Sequence, residues 1–174
     1  IPAADFVSMH GLWSWVSREV RDGIVRLLAA KTRPGALVHV SYNALPGWQG
    51  ALAMQRLIYE AGRRTAGRSD QQAEAGLAMA KDLKAAEAFY LGESALSREL
   101  IDNIHGASRE YLGHEYMNAY WAPAFHADVA AAMASAKLDF VASGNLLENF
   151  PELMMKPEQR TLMDRYTDPV MREL

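Results

Sequence analysis

At 174 residues, half of them hydrophobic and 22% charged, the chain has enough material for one good core, or for one core and a small satellite. A formal charge of −3 leaves no footprint for a polyanion, which argues against nucleic acid as a main partner, and zero cysteines exclude disulfides and thiolate metal sites and fit a reducing cytoplasm. No apolar run approaches the ~20 residues of a membrane helix, and the opening IPAADF lacks the charged and apolar regions of a signal peptide.

The first element is short. Asp5 to His10, with apolar Phe6, Val7 and Met9, reads as a mostly buried strand that stops at Gly11. An aromatic loop follows through Trp13 and Trp15. Ser17 suits the N-cap of the next helix, Glu19 favours its first turn, and Val20, Ile24, Leu27 and Leu28 form one apolar stripe. Arg33-Pro34-Gly35 ends that helix, and Ala36 to Ser41 is a second strand. A helix between two strands predicts a right-handed crossover and a parallel pair. Parallel strands need cover on both faces and neighbours on their edges. The βαβ unit therefore reads as a piece of a larger doubly wound sheet.

After Trp48 the period becomes helical. Met54, Leu57, Ile58 and Ala61 form a stripe that ends in the loop GRRTAGRSD, whose Arg63, Arg64 and Arg68 read as a solvated linker. Ser69 and Gln72 have the spacing of a capping box. The helix they open runs past Leu77, Ala80, Leu83 and Phe89 to Gly92, and a third helix through Leu96, Leu100, Ile101 and Ile104 closes at Gly106, with His105 at its end. From His114 to Pro123 an aromatic loop is expected, then a helix with Val129, Met133 and Ala136 inward, then a third strand over 139–144. Pro157 and Asp168-Pro169 open terminal helices. The expected division is a core portion over 1–47, a helical insert over 48–113 and a return to the core over 114–174.

In open parallel sheets ligands bind outside the carboxyl ends of the strands. His10 to Trp15, Tyr42 to Trp48 and Ser143 to Asn145 leave such ends, so His10, Gly11, Trp13, Tyr42 and Asn43 should converge on one mouth. Aromatic faces there suit a cationic or adenine-bearing ligand; alternatively Trp13, Trp15 and Trp48 fill a seam. His10 fits either lining the mouth or packing beside it, whereas His39, in mid-strand, reads as a satisfied core or edge residue. His114-Glu115 lacks the second histidine of a metalloprotease helix, since Asn118 stands four residues on, so no metal site is expected. There is no Gly-x-Ser-x-Gly elbow and no phosphate loop.

Two runs carry a resemblance. DFVSMHGLWSWVSREVRDGIVRLLAAKTRPGALVHVSYNALPGW resembles the fourth strand, helix and fifth strand of class I S-adenosylmethionine-dependent methyltransferases, and HEYMNAYWAPAFHADVAAAMASAKLDFVASGNLLEN resembles the segment leading to the sixth strand. YNALPGW paired with HEYMNAYW across a helical insert is similar to bacterial proteins with the predicted methyltransferase regulatory domain, a group that includes protein-lysine methyltransferases. The resemblance implies an α/β fold: the C-terminal part of a Rossmann-like sheet with few parallel strands and a predominantly helical insert. It implies S-adenosylmethionine as cofactor, with His10, Gly11 and Trp13 at its methionine end. Tyr42, Asn43 and Tyr116 are implied as catalytic, and Pro46, Asn118 and Trp121 as substrate-binding.

The family's glycine-rich cofactor loop and ribose-binding acid belong upstream of these strands, so the chain reads as a fragment, inactive in isolation, of a cytoplasmic enzyme. The methyl acceptor is expected to be a protein lysine, another protein side chain or a small molecule, and exposed strand edges favour a homodimer. The competing reading is a non-enzymatic helical module for protein interaction or oligomerisation.

Overall fold

The structure, a computed structural model, describes residues 2–89, 97, 99, 101–102 and 108–173. The chain divides into two compact units, Ile1–Pro46 with Ala122–Leu174, and Gly47–Trp121. The expected segment around Gly92, Leu96, Leu100, Ile104, His105 and Gly106 lies outside the described residues.

The first unit is mixed α/β. Strand β1 (Ala4–Met9) leads through a 3-10 turn (Trp13–Trp15) to helix α1 (Arg18–Lys31), which crosses to the parallel strand β2 (Thr32–Val40). The α1 start is legible: Ser17 Oγ accepts from the Val20 amide at 3.4 Å, and Glu19 sits in the first turn. Its apolar stripe is narrower than expected. Leu28 is buried and Ile24 and Val25 pack partly on the core, but Val20 and Leu27 are exposed.

Strand β2 begins earlier than predicted, because Thr32 to Gly35 continue in extended form instead of turning away. Ala4 faces Thr32 and Phe6 faces Leu37, so β2 carries extra residues in a bulge at Gly35, whose φ of 82° suits glycine. Beyond it the register is regular to Met9 and Val40. Val7, Met9, Val38 and Val40 point to a core with Trp13, Leu28, Val129, Met133 and Ala136. The opposite face carries Phe6, Ser8 and His10 beside Leu37 and His39. Phe6 is 64% exposed, so β1 is buried on one face and not mostly buried as its composition implied.

A second parallel pair is two residues long, β3 (Ala44–Leu45) against β4 (Ala124–Phe125). Helix α5 (His126–Ala134) follows β4 directly. The expected third strand over 139–144 is absent from the described residues. Its backbone bonds are taken locally: the Ser143 amide donates to Asn149 Oδ1 at 2.8 Å, and Asn149 Nδ2 donates to the Ser143 carbonyl at 3.0 Å. That knot leads into a 3-10 turn (Leu146–Asn149) and three short helices, α6 (Pro151–Met154), α7 (Pro157–Met163) and α8 (Pro169–Arg172). Proline opens each helix, as expected at Pro157 and Pro169, and Asp168 Oδ1 accepts from the Val170 amide at 2.8 Å.

The labelled elements of the second unit are all helical: α2 (Gln49–Gly62), α3 (Ser69–Ala85) and α4 (Arg109–Tyr116). Met54, Ile58, Ala73, Leu77, Ala80, Ile101, Leu112 and Tyr116 form its core. Arg68, not Ser69, caps α3: the Gln71 side chain accepts from the Arg68 amide at 3.0 Å. Helix α3 also stops well before Gly92. Glu87 adopts a left-handed φ of 53°, and the Ala88 amide returns to the Leu83 carbonyl at 3.0 Å. The predicted loop from His114 begins later, since Ser108 Oγ caps α4 through the Tyr111 amide at 3.2 Å and the helix runs to Tyr116.

Candidate functional site

The carboxyl ends of β1 and β2 lie side by side and are tied by serines. Ser8 Oγ is 3.0 Å from His39 Nδ1, and Ser41 Oγ is 3.1 Å from His10 Nδ1. The same Ser41 hydroxyl accepts from the Gly11 amide at 2.7 Å. Strand alternation explains the quartet: Ser8 and His10 share one face of β1, and His39 and Ser41 continue the same face on β2. The imidazoles of His10 and His39 stack at 6.3 Å, and Gly144 approaches His39 so closely that a Cβ would stand 3.3 Å from its ring. His10 and Gly11 are exposed; Gly11 has a φ of 61° and open space where a Cβ would be.

Behind this edge a buried serine joins three segments. Ser14 Oγ accepts from the Asn43 amide at 2.8 Å, and the Ser14 carbonyl accepts from the Ala122 amide at 2.9 Å. The Ala124 amide in turn donates to the Asn43 carbonyl at 3.0 Å. Arg21, on α1, donates from Nε to the Trp13 carbonyl at 2.8 Å and from Nη2 to the Ala122 carbonyl at 3.3 Å, with its guanidinium 5.8 Å from the Trp13 ring centroid. Trp13 is thereby a core residue under Arg21. Sequence reasoning missed Ser14 and Arg21, since neither sits in a periodic pattern or a motif.

Tyr42 leaves β2 half-buried against the first unit's core. Burial, with Glu173 nearby, pushes its hydroxyl above the ordinary phenol range, so it stays neutral at physiological pH. Its oxygen lies 3.3 Å from His126 Nδ1. Pro46 is exposed and follows a cis peptide bond from Leu45.

The first unit thus places His10 and Gly11 at the strand ends on the face that carries His39, whereas Tyr42 packs with Trp13 on the core face and the Asn43 backbone is tied to Ser14. Of the other predicted residues, Pro46 closes the first unit's opening segment, and Tyr116, Asn118 and Trp121 belong to the second unit. Tyr116 is buried in that unit's core, and burial, with Glu115 and Tyr111 beside it, raises its hydroxyl pKa. Its carbonyl accepts from buried Gln55 Nε2 at 3.2 Å. Asn118 Oδ1 accepts from the Tyr120 amide at 2.8 Å, and Trp121 packs edge-to-face on Trp48 at 6.1 Å. The arginines near 63–68 have partners as well: Arg64 pairs with Glu60, Arg68 with Asp70, and Arg63 lies over Tyr59. Among the described residues no three His, Asp or Glu side chains gather as a metal site, and no helix is long and apolar enough to cross a membrane.

The fold is similar to part of a longer protein of solved structure. PKMT2 from Rickettsia typhi superimposes with a TM-score of 0.62 at 24% identity, over 99% of this chain and 32% of that one. The same protein in complex with AdoHcy gives 0.69 at 19% identity, again over 99% and 32%. Residues 108–174 match the family described as the predicted methyltransferase regulatory domain, which bears out the resemblance carried by the HEYMNAYW run. An uncharacterized protein of Synechocystis is 30% identical over the whole chain, which covers 34% of it, and one of Rickettsia prowazekii is 43% identical over 56 residues. The chain spans about a third of the length of the Synechocystis relative.

Proposed function

We propose that the chain is the substrate-side portion of an S-adenosylmethionine-dependent methyltransferase whose acceptor is an amine, most simply a protein lysine. In this reading residues 1–47 and 114–174 contribute to the catalytic core, and 48–113 form a helical insert that recognises the acceptor. The observation that carries the proposal is the serine-braced edge, where Ser41 holds His10 and the Gly11 amide at the carboxyl ends of two adjacent parallel strands. The likeness in fold to PKMT2, a protein solved in complex with AdoHcy, supports it.

The residues present fit one end of such a cofactor. His10 and Gly11 are exposed, and the empty space over Gly11 admits a ligand atom where any other residue would place a Cβ. Trp13 is buried, so its contribution is to shape the loop from behind. The cofactor supplies an electrophilic methyl group on a sulfonium. The chain's own residues hold and orient: Ser41 fixes the His10 ring, and Ser14 fixes the backbone of Asn43, which follows Tyr42. A rigid polar edge of this kind suits a reaction that asks mainly for alignment and exclusion of water. Asn118 and Trp121 are assigned to acceptor recognition.

The test uses the full-length parent. His10→Ala should weaken S-adenosylmethionine binding in calorimetry, and Tyr42→Phe should lower turnover while cofactor affinity stays the same. Unaltered binding and turnover in both variants would overturn the assignment.

A further inference from the structure

We infer that His126 is a positioning residue that acts through Tyr42, fixing the phenol so that its oxygen offers acceptor lone pairs to a hydrogen-bearing acceptor group. The inference rests on the methyltransferase reading and names the chemistry of its acceptor.

His126 opens α5, directly after β4, with no side chain capping the helix start. Its imidazole packs edge-to-face with Phe140, at 4.6 Å and 74°. Its Nε2 is buried and has no hydrogen-bond partner among the described residues, while Nδ1 faces Tyr42 at 3.3 Å. A buried ring nitrogen left without a partner costs about 1–3 kcal/mol, a penalty that phenylalanine or leucine would avoid. The polar partner that the ring does reach is the Tyr42 hydroxyl.

Two neutral tautomers are open to the ring. With the proton on Nε2, that N–H is the one group of the pair left without a partner among the described residues. Nδ1 is then an acceptor and takes the Tyr42 hydroxyl hydrogen. With the proton on Nδ1, Nε2 is left bare and the Tyr42 hydroxyl hydrogen loses its acceptor as well. The first arrangement leaves fewer groups unsatisfied. It also fixes the one torsion of Tyr42 that packing of its ring leaves free. The phenol oxygen then presents lone pairs, which receive an N–H or O–H and repel a carboxylate oxygen.

The experiment is carried out on the full-length parent with 15N-labelled histidine, the His126 signals being assigned by their loss in His126→Asn. The expected result is the Nε2–H tautomer, with Nδ1 shifted when Tyr42→Phe removes its donor. A protonated Nδ1, or an Nδ1 signal indifferent to Tyr42→Phe, overturns the inference. In kinetics, His126→Leu should lower kcat by about tenfold, the worth of one lost hydrogen bond at the upper end of its range, with KM for S-adenosylmethionine unchanged. His126→Asn, whose Oδ1 accepts where Nδ1 did, should recover most of the loss. An equal loss in the Asn and Leu variants would mark a packing role and sink the positioning assignment. A parent that transfers no methyl group refutes the methyltransferase reading instead, and the tautomer measurement is independent of that result.

Discussion

Gly76 on α3 lies so close to Ile58 on α2 that a Cβ on the glycine would stand 2.2 Å from the Ile58 carbonyl oxygen. The relation is reciprocal along the same crossing, because a Cβ on Gly62 would stand 2.3 Å from the Gln72 carbonyl oxygen. Two backbones in contact bring Met54, Ile58, Ala73, Leu77 and Ala80 into one core. Neither obstacle is a flexible side-chain tip, so relief requires the helices to part. Gly76→Ala should destabilise the helical unit by about 3 kcal/mol or more, against the small gain in helix propensity. Urea unfolding followed by circular dichroism measures it, and a variant as stable as the parent sequence would refute the contact.

Ser14→Ala is expected to be costly for a different reason. The hydroxyl is buried and accepts the Asn43 amide, next to a backbone relay through Ala122 and Ala124. Removing the acceptor inside the unit should cost about 1–3 kcal/mol. Hydrogen exchange at the Asn43 amide should accelerate in the variant by more than at amides of the α2–α3 pair. Equal acceleration in both places would mean that Ser14 has no local role.

Local signals carried the parts of this fold that depend on neighbours in sequence. Ser17 announced α1, the apolar runs announced β1 and β2, and the helical spacing of Met54, Leu57 and Ile58 announced α2. Errors arose where distant or unusual partners decide. Nothing in the sequence around Glu87 marks a helix end, because a non-glycine residue takes the left-handed position there. The stretch at 139–144 has strand composition, yet Asn149, six residues beyond Ser143, captures its backbone groups. At the site, position at strand ends put His10 and Gly11 beside Ser41, but strand alternation turns Tyr42 to the core face instead. The partners Ser14, which holds the Asn43 amide, and His126, which meets Tyr42, come from a turn and a helix up to 84 residues away and have no periodic signature.

Lys137 ends α5 as Glu87 ends α3. Its φ is 61°, its amide donates to the Ala134 carbonyl at 2.9 Å, and the Leu138 amide returns to the Met133 carbonyl at 3.2 Å. Leu138 packs on the same core as Met133, which completes the hydrophobic part of the motif. The left-handed conformation costs a lysine about 1 kcal/mol and a glycine almost nothing. Lys137→Gly should therefore stabilise the first unit by about 0.5–1 kcal/mol even though glycine is more flexible when unfolded. Lys137→Ala, which keeps the strain, serves as the control. Thermal melts of the two variants should separate in that order, and a less stable glycine variant would contradict the cap geometry.

Asp70 gives the helical unit a pH dependence of definite sign. Arg68 grips its carboxylate with two bonds, Nη2 to Oδ2 at 2.7 Å and Nε to Oδ1 at 3.1 Å. Chiefly through that hydrogen bonding, its pKa falls to about 2 from an ordinary 3.8. A pKa lower in the folded state means that the unfolded chain binds the proton more readily. The contribution is therefore complete above the ordinary carboxylate range, declines as pH falls through it, and is gone below about 2. Because Arg68 stands in solvent, salt should weaken the pair. Asp70→Asn should lower the unfolding midpoint modestly at pH 7 in dilute buffer, by less in 1 M salt, and not at all near pH 2. A gap between the two proteins that stayed constant from pH 7 to pH 2 would assign the loss to helix capping rather than to the ion pair.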